Sequence, residues 1–167
     1  MRVITKLGDV FSAEINETHK KYIQYIANDL TQLNSDVIRV FKKKYLVNEN
    51  PNLENIVKGE VEFHAHCVVK FGVKMNLWVK VGNSKNIGSL ENIIFRGTKD
   101  YGHKLGNEPI RVTNDWYIWK INDAKFTNVQ FVTEQVRDAN IGLVFNPLGI
   151  LELIKNHKYP QNYPEFS

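Results

Sequence analysis

One cysteine, Cys67, stands in a chain of 167 residues. It has no partner for an internal bridge, which excludes a disulfide scaffold of the secreted kind. No run reaches the ~18 apolar residues that a transmembrane helix needs. The opening, MRVITKLGDVF, lacks the apolar core of about 7–15 residues that marks a signal peptide. These absences lead to the expectation of a cytoplasmic chain with no membrane association. Catalytic signatures are missing too. Without a Gly-x-Ser-x-Gly, the side chains of Ser12, Ser35 and Ser84 have no nucleophile elbow. Gly82-Asn83-Ser84-x-x-x-Gly88 lacks the Gly-Lys-Ser/Thr ending of a phosphate loop. No internal repeat and no low-complexity linker divides the chain.

What is present reads as one domain spanning residues 1–167, since about 150 residues per domain is the usual scale. Such a chain buries roughly 68–70% of its unfolded surface and needs neither disulfide nor metal to hold it. The hydrophobic fraction of 43% and the charged fraction of 24% are those of an ordinary globular protein. A net charge of +4 permits attraction to nucleic acid or to an acidic partner. Lys42-Lys43-Lys44 is the one basic triplet, and its first reading is solvated surface.

The hydrophobic pattern is mainly that of strands. In Val10–Ile15, Phe11, Ala13 and Ile15 alternate with Ser12 and Glu14. Asn16-Glu17-Thr18-His19 is a hairpin connection, and Lys20–Ala27 returns as a Tyr- and Ile-rich strand. Asn28–Asp36 is a polar loop. Val37–Phe41 is apolar on both faces except at Arg39, which predicts a central strand covered on each side. Leu53–Lys58 predicts a short helix closed by Gly59. Val61–Val69 alternates most cleanly, with Val61, Phe63, Ala65, Cys67 and Val69 on one face and Glu62, His64 and His66 on the other. Lys70–Val81 is expected to continue as strand, with a bend at Gly72. Further strands are expected at Ile93–Arg96, Trp116–Ile121, Asn128–Thr133 and Ile141–Phe145, with an exposed loop over Thr98–Gly106. Asn146-Pro147 is an N-cap followed by proline at the first helical position. The helix it starts should pack Leu148, Leu151, Leu153 and Ile154 on the sheet. Pro160 and Pro164 keep residues 158–167 extended as a C-terminal tail. About eight strands and one or two helices make an α+β fold with a mainly antiparallel, strongly curved sheet, SH3-like or barrel-like in the limit.

Three constellations could carry chemistry. His64 and His66 share a strand face with Glu62, and two imidazoles with a carboxylate are zinc or iron ligand types. Asp100, His103 and His157 are the sequence-distant options for a third ligand. The competing reading is the plain polar face of a strand, and no metal or other cofactor is assigned. Cys67 points away from both histidines, so a Cys-His nucleophile pair cannot form, and a buried inert thiol is expected. Trp78, Trp116 and Trp119, with Tyr101 and Tyr117, could stack bases beside Arg39 and Lys42–Lys44. Trp116 and Trp119 are three apart on one strand and must face opposite ways.

Leu7-Gly8-Asp9-Val10-Phe11, the Tyr-rich second strand and Val37-Ile38-Arg39-Val40-Phe41 resemble the bacterial polymorphic-toxin immunity proteins grouped as immunity protein 26. So does the closing Ile141–Phe145 strand with Asn146-Pro147, a short helix and a Tyr/Pro tail. The resemblance implies a small α+β protein that binds a toxin domain encoded nearby and blocks it, with no catalytic residue. Gly8-Asp9-Val10-Phe11 is also similar to the opening of small SH3-like barrel ribonuclease toxins. Those carry an arginine and a proline in the following strand, which Tyr22–Ala27 lacks, so none of that family's functional residues carries over.

The expectation is therefore a non-enzymatic binding protein whose partner is a cognate toxin. Exposed aromatics and arginine dominate binding hot spots, which nominates Tyr22, Tyr25, Arg39, Tyr101 and Trp116. The alternatives are a nucleic-acid-binding or RNA-processing module and, third, a metal-dependent enzyme using His64 and His66. The sequence sets no oligomeric state.

Overall fold

The computed structural model describes residues 2–167. β1 (Asp9–Glu14), β2 (His19–Asp29) and β3 (Ser35–Phe41) form an antiparallel meander. Asn16 closes the first turn, its Oδ1 accepting from the backbone N–H of Thr18 and of His19. A short β4 (Tyr45–Leu46) pairs with the start of β2. Asn52 caps α1 (Leu53–Val57) by accepting from the N–H of Glu54. β5 (Val61–Cys67) pairs with β3; α2 (Val69–Lys74) follows, and β6 (Val79–Asn83) pairs with β1 on the far side of the sheet.

The rest of the chain builds a second sheet and a cover. β7 (Ile94–Thr98) is followed by a hairpin of β8 (Lys104–Leu105) and β9 (Glu108–Pro109), then by β10 (Val112–Thr113). β11 (Trp116–Lys120) lies antiparallel to β7 and to β12 (Thr127–Asn128). After α3 (Glu134–Asp138), β13 (Asn140–Ile141) joins β7, and β14 (Val144–Phe145) joins β5, both in parallel. α4 (Pro147–Asn156) leads to the tail, where β15 (Glu165–Phe166) pairs with β10.

The large sheet runs β14-β5-β3-β2-β1-β6 and the second β12-β11-β7-β13. One face of the large sheet, with Phe11, Ile23, Ile38, Ala65 and Cys67, packs under Trp78, α2 and α4. The other face is shared. At one end Val10, Tyr22 and Phe41 meet Ile56 and Val57 of α1. At the other, Ile26, Ala27 and Val37 meet Phe95 and Trp119 of the second sheet. Both faces of β3 are thus covered, as its two-sided apolarity predicts. No helix among the described residues is long and apolar enough to cross a membrane.

Several expectations are corrected. The α+β class holds, but the described residues form four short helices and the sheets are mixed. The large sheet is open, ending on β14 and β6, and it neither closes into an SH3-like barrel nor curls strongly. Of the expected Asn128–Thr133 strand, only Asn128 is in a strand, as the second residue of β12. Ile141–Phe145 is not one strand, because the chain passes from the second sheet to the large one between β13 and β14. In α4, Asn146 caps as expected, yet Leu148 is 53% exposed and Ile150 takes its place in the core.

Lys70–Val81 is not one strand either. Trp78 folds back onto α2, its Nε1 donating to the carbonyl of Val69 at 3.2 Å. Its ring lies so close to Gly72 that a Cβ there would fall 1.9 Å from ring carbons. Gly72→Ala should therefore cost about 1–3 kcal/mol through overpacking, read as a lower urea midpoint. Gly149→Ala, whose Cβ would meet nothing closer than 3.5 Å, should be neutral or slightly stabilising in the same assay.

Candidate functional site

Val37, Arg39, His64 and His66 line up on one face of the large sheet, since Val37 pairs with His66 and Arg39 with His64. Arg39 fills the seam between α1 and the second sheet. Its Nε donates to Gln24 Oε1 at 2.9 Å, and its Nη2 donates to the carbonyls of Val57 at 3.1 Å and Asn86 at 2.9 Å. It also sits over the Phe41 ring. Among the described residues no carboxylate pairs with it. Burial lowers its pKa, and neutral oxygens alone carry its hydrogen bonds. Arg39 is thus a strut that ties β2, β3, α1 and the loop after β6.

His66 and Asp29 are both wholly buried, with His66 Nε2 2.9 Å from Asp29 Oδ2. The same oxygen accepts from Trp119 Nε1 at 3.0 Å, and Asp29 Oδ1 accepts from the N–H of Asn122 at 3.2 Å. Burial pushes Asp29 up, but the bonds from His66, Trp119 and Asn122 outweigh it and leave its pKa lowered. Burial lowers His66 despite the opposing pull of Asp29. A neutral imidazole with its proton on Nε2 fits, because Nδ1 has no partner among the described residues and would otherwise carry a stranded N–H. The Phe95 ring lies 4.2 Å from this imidazole. The pair is a clamp between the two sheets, not the wet face that alternation alone implies.

His64 lines a cleft of about 360 Å³ between the sheets and α4, together with Glu62, Arg96, Arg137, His157 and Tyr159. Burial first, and the charge of Arg39 second, push the His64 imidazole down to about 4. Glu62 is engaged by Lys21. Arg96 donates to the carbonyls of Arg137 and Ala139 and lies over the rings of Trp116 and Phe166. It pins the tail across the second sheet.

As a metal site the His64/His66 pair does not assemble. His66 Nε2 is taken by Asp29, and among the described residues no three of His, Cys, Asp or Glu gather in ligating geometry. His157 does approach Glu62, at 3.9 Å, but Asp100 bonds Thr113 instead. Cys67 is buried, and burial raises its thiol to about 12, so it is no nucleophile.

Of the five residues nominated for contact, Tyr22, Tyr25, Arg39 and Trp116 are buried. The first two pack in the cores on either face of the large sheet, and Trp116 is covered by Tyr163 and Phe166 of the tail. Their expected exposure is corrected: each aromatic had a neighbouring layer to bury it. Tyr101 alone is partly exposed, against Tyr163. The stacking platform is likewise dispersed, since Trp78, Trp116 and Trp119 are all 2% exposed or less. Trp116 and Trp119 do face opposite ways, one under the tail and the other beside Phe95 and Phe126.

What the surface does offer, and strand reading missed, lies around α2 and β6. Phe71, Met75, Val79 and Val81 are 45%, 47%, 63% and 48% exposed. The signal was the length of Lys70–Val81, too long for one strand beside Trp78 and Gly72. This arrangement suits contact and presents no reacting groups.

A family model for immunity protein 26 matches residues 6–104, more than half of the chain, from the entry into β1 to the start of β8. No curated protein and no solved structure matches the chain. The matched segment contains every strand of the large sheet except β14, together with α1, α2 and the Arg39 seam, and this chain belongs to the immunity protein 26 family.

Proposed function

We propose that this protein is an immunity protein that binds a cognate bacterial toxin in the cytoplasm and neutralises it by occupying its surface, without turnover. The match to the immunity protein 26 family over residues 6–104 is the observation that carries this reading. The site supports it in a second way. His66 and Cys67 are sealed in the core, while the surface around α2 and β6 is apolar and basic. Residues 1–167 act as one unit, with the tail laid along the second sheet. Tyr101, partly exposed against Tyr163, stays a candidate contact. A nucleic-acid role finds less support, since base stacking needs exposed rings and the three tryptophans are buried.

The test is co-expression with the product of each adjacent reading frame. Cells making the toxin should survive only when this protein is made with it, and the two should co-purify. Absence of rescue with any neighbour would remove the reading.

A further inference from the structure

Among the described residues β6 is the last strand of the large sheet and pairs only with β1, so its outer edge carries no ladder. Free edges can recruit further strands, and proteins blunt them with bulges, such as the register shift at Val10/Phe11 between β1 and β6, or guard them with an outward lysine. Here the guard is drawn in. Lys80 reaches the wholly buried Asp9, with Nζ 2.7 Å from Oδ1. Val79 and Val81 flank it, 63% and 48% exposed, with nothing over them. The register sets Lys80 on the side of Phe11 and Val79 on the side of Ser12, so an added strand would meet the lysine on one face and apolar surface on the other. On the Phe11 face, α2 brings exposed Phe71 and Met75, and Trp78 holds α2 against the start of β6.

Charge narrows what can dock. From residue 63 to residue 90 the chain has no Asp or Glu, but it has Lys70, Lys74, Lys80 and Lys85. Asp9 is taken up by Lys80, and Glu54 reaches Ser84 at the far end of β6. A second copy of this chain across the edge would set these lysines against their own kind, which like-charge pairing disfavours. An extended strand with acidic residues beside apolar ones would be complementary to both features.

We infer that the free edge of β6, with Val79, Lys80 and Val81 at its centre and α2 beside it, is where the toxin docks by adding an acidic, partly apolar strand to the large sheet. Main-chain hydrogen bonds would supply affinity, and the lysines and valines would set register. The inference rests on the immunity reading and specifies its contact surface.

The test uses the full chain and the toxin that co-expression identifies, in a catalytically inactive form. The double variant Val79→Glu, Val81→Glu changes exposed side chains only. It should keep the thermal midpoint of the parent yet weaken binding by roughly 30-fold or more and lose rescue. In the unaltered complex, the amides of Val79–Asn83 should become protected from hydrogen exchange. Unchanged affinity in the folded double variant, or β6 amides that exchange alike free and bound, would overturn the edge while leaving immunity intact. Should the double variant fail to fold, the exchange experiment on the unaltered protein decides alone. A free chain that is already a dimer with protected β6 amides would overturn it too, as would RNA retention that the double variant abolishes. If no neighbouring product is neutralised by the unaltered chain, the immunity reading falls and takes this inference with it.

Discussion

Replacing Asp29 by Ala is expected to cost about 3–5 kcal/mol of folding stability, because it strands several buried donors at once. The carboxylate is wholly buried and accepts from His66, Trp119, Asn122 and Thr31. Without it, the Nε2–H of His66 and the indole N–H of Trp119 have no acceptor in a layer otherwise built of Ile26, Val37 and Phe95. Each such orphan costs about 1–3 kcal/mol by itself. Total stabilities of about 5–15 kcal/mol leave little after such a loss. Urea unfolding followed by tryptophan fluorescence measures it. The effect should be felt first at the joint between the sheets, because three of the donors belong to β5, β11 and the turn after β11. Asp29→Asn keeps one carbonyl acceptor and should fall between parent and Ala variant. A loss below about 1 kcal/mol for Asp29→Ala would mean that the clamp does not hold the sheets together.

Acid should destabilise the protein well above the carboxylate range. His64 and His66 both titrate low in the folded state, chiefly because they are buried. The unfolded chain takes up these protons near the ordinary imidazole value of 6.5. Below that pH the unfolded state binds more protons than the native one, so stability falls as pH falls. The contribution is fully present above 6.5 and, for His64, is lost as pH drops to about 4. At about 1.4 kcal/mol per pH unit, that interval is worth about 3 kcal/mol. His66 acts in the same direction. Asp29 and Asp9, both lowered from 3.8, govern the region below. The measurement is the urea midpoint at intervals from pH 8 to pH 4. A steep decline is expected below 6.5 in the parent, and a shallower one in His64→Gln. A flat parent profile over that interval would contradict the burial of the two rings.

Local rules made the first half of the fold legible. Period-two alternation in β1 and β5, the Asn16 turn, and the Asn146-Pro147 start of α4 are short-range features that the residues announce. The central place of β3 followed from its two apolar faces. That same observation held the clue to His66. If both faces of β3 are covered, the neighbour of Val37 on β5 is covered with it, whatever its polarity. Alternation marks which side chains share a face. It does not say whether a second layer lands on that face, and here β7 and β11 do so from far along the chain. α2 was hidden for a different reason. Its valines and phenylalanine favour strands, and only the docking of Trp78 onto Gly72 makes the helical turn the better packing. The exposure expected of Tyr22, Tyr25 and Trp116 gave way by the same route as His66, since these residue types suit an interface and a core equally.

One titration tests neutralisation by binding most directly. The purified protein is added in steps to the active toxin identified by co-expression, and the toxin's own activity is followed. Stoichiometric blocking predicts a linear loss that ends at a fixed molar ratio, with this chain recovered unaltered from the complex. Complete loss at a small fraction of that ratio, with one molecule silencing many, would contradict it and make the protein an enzyme.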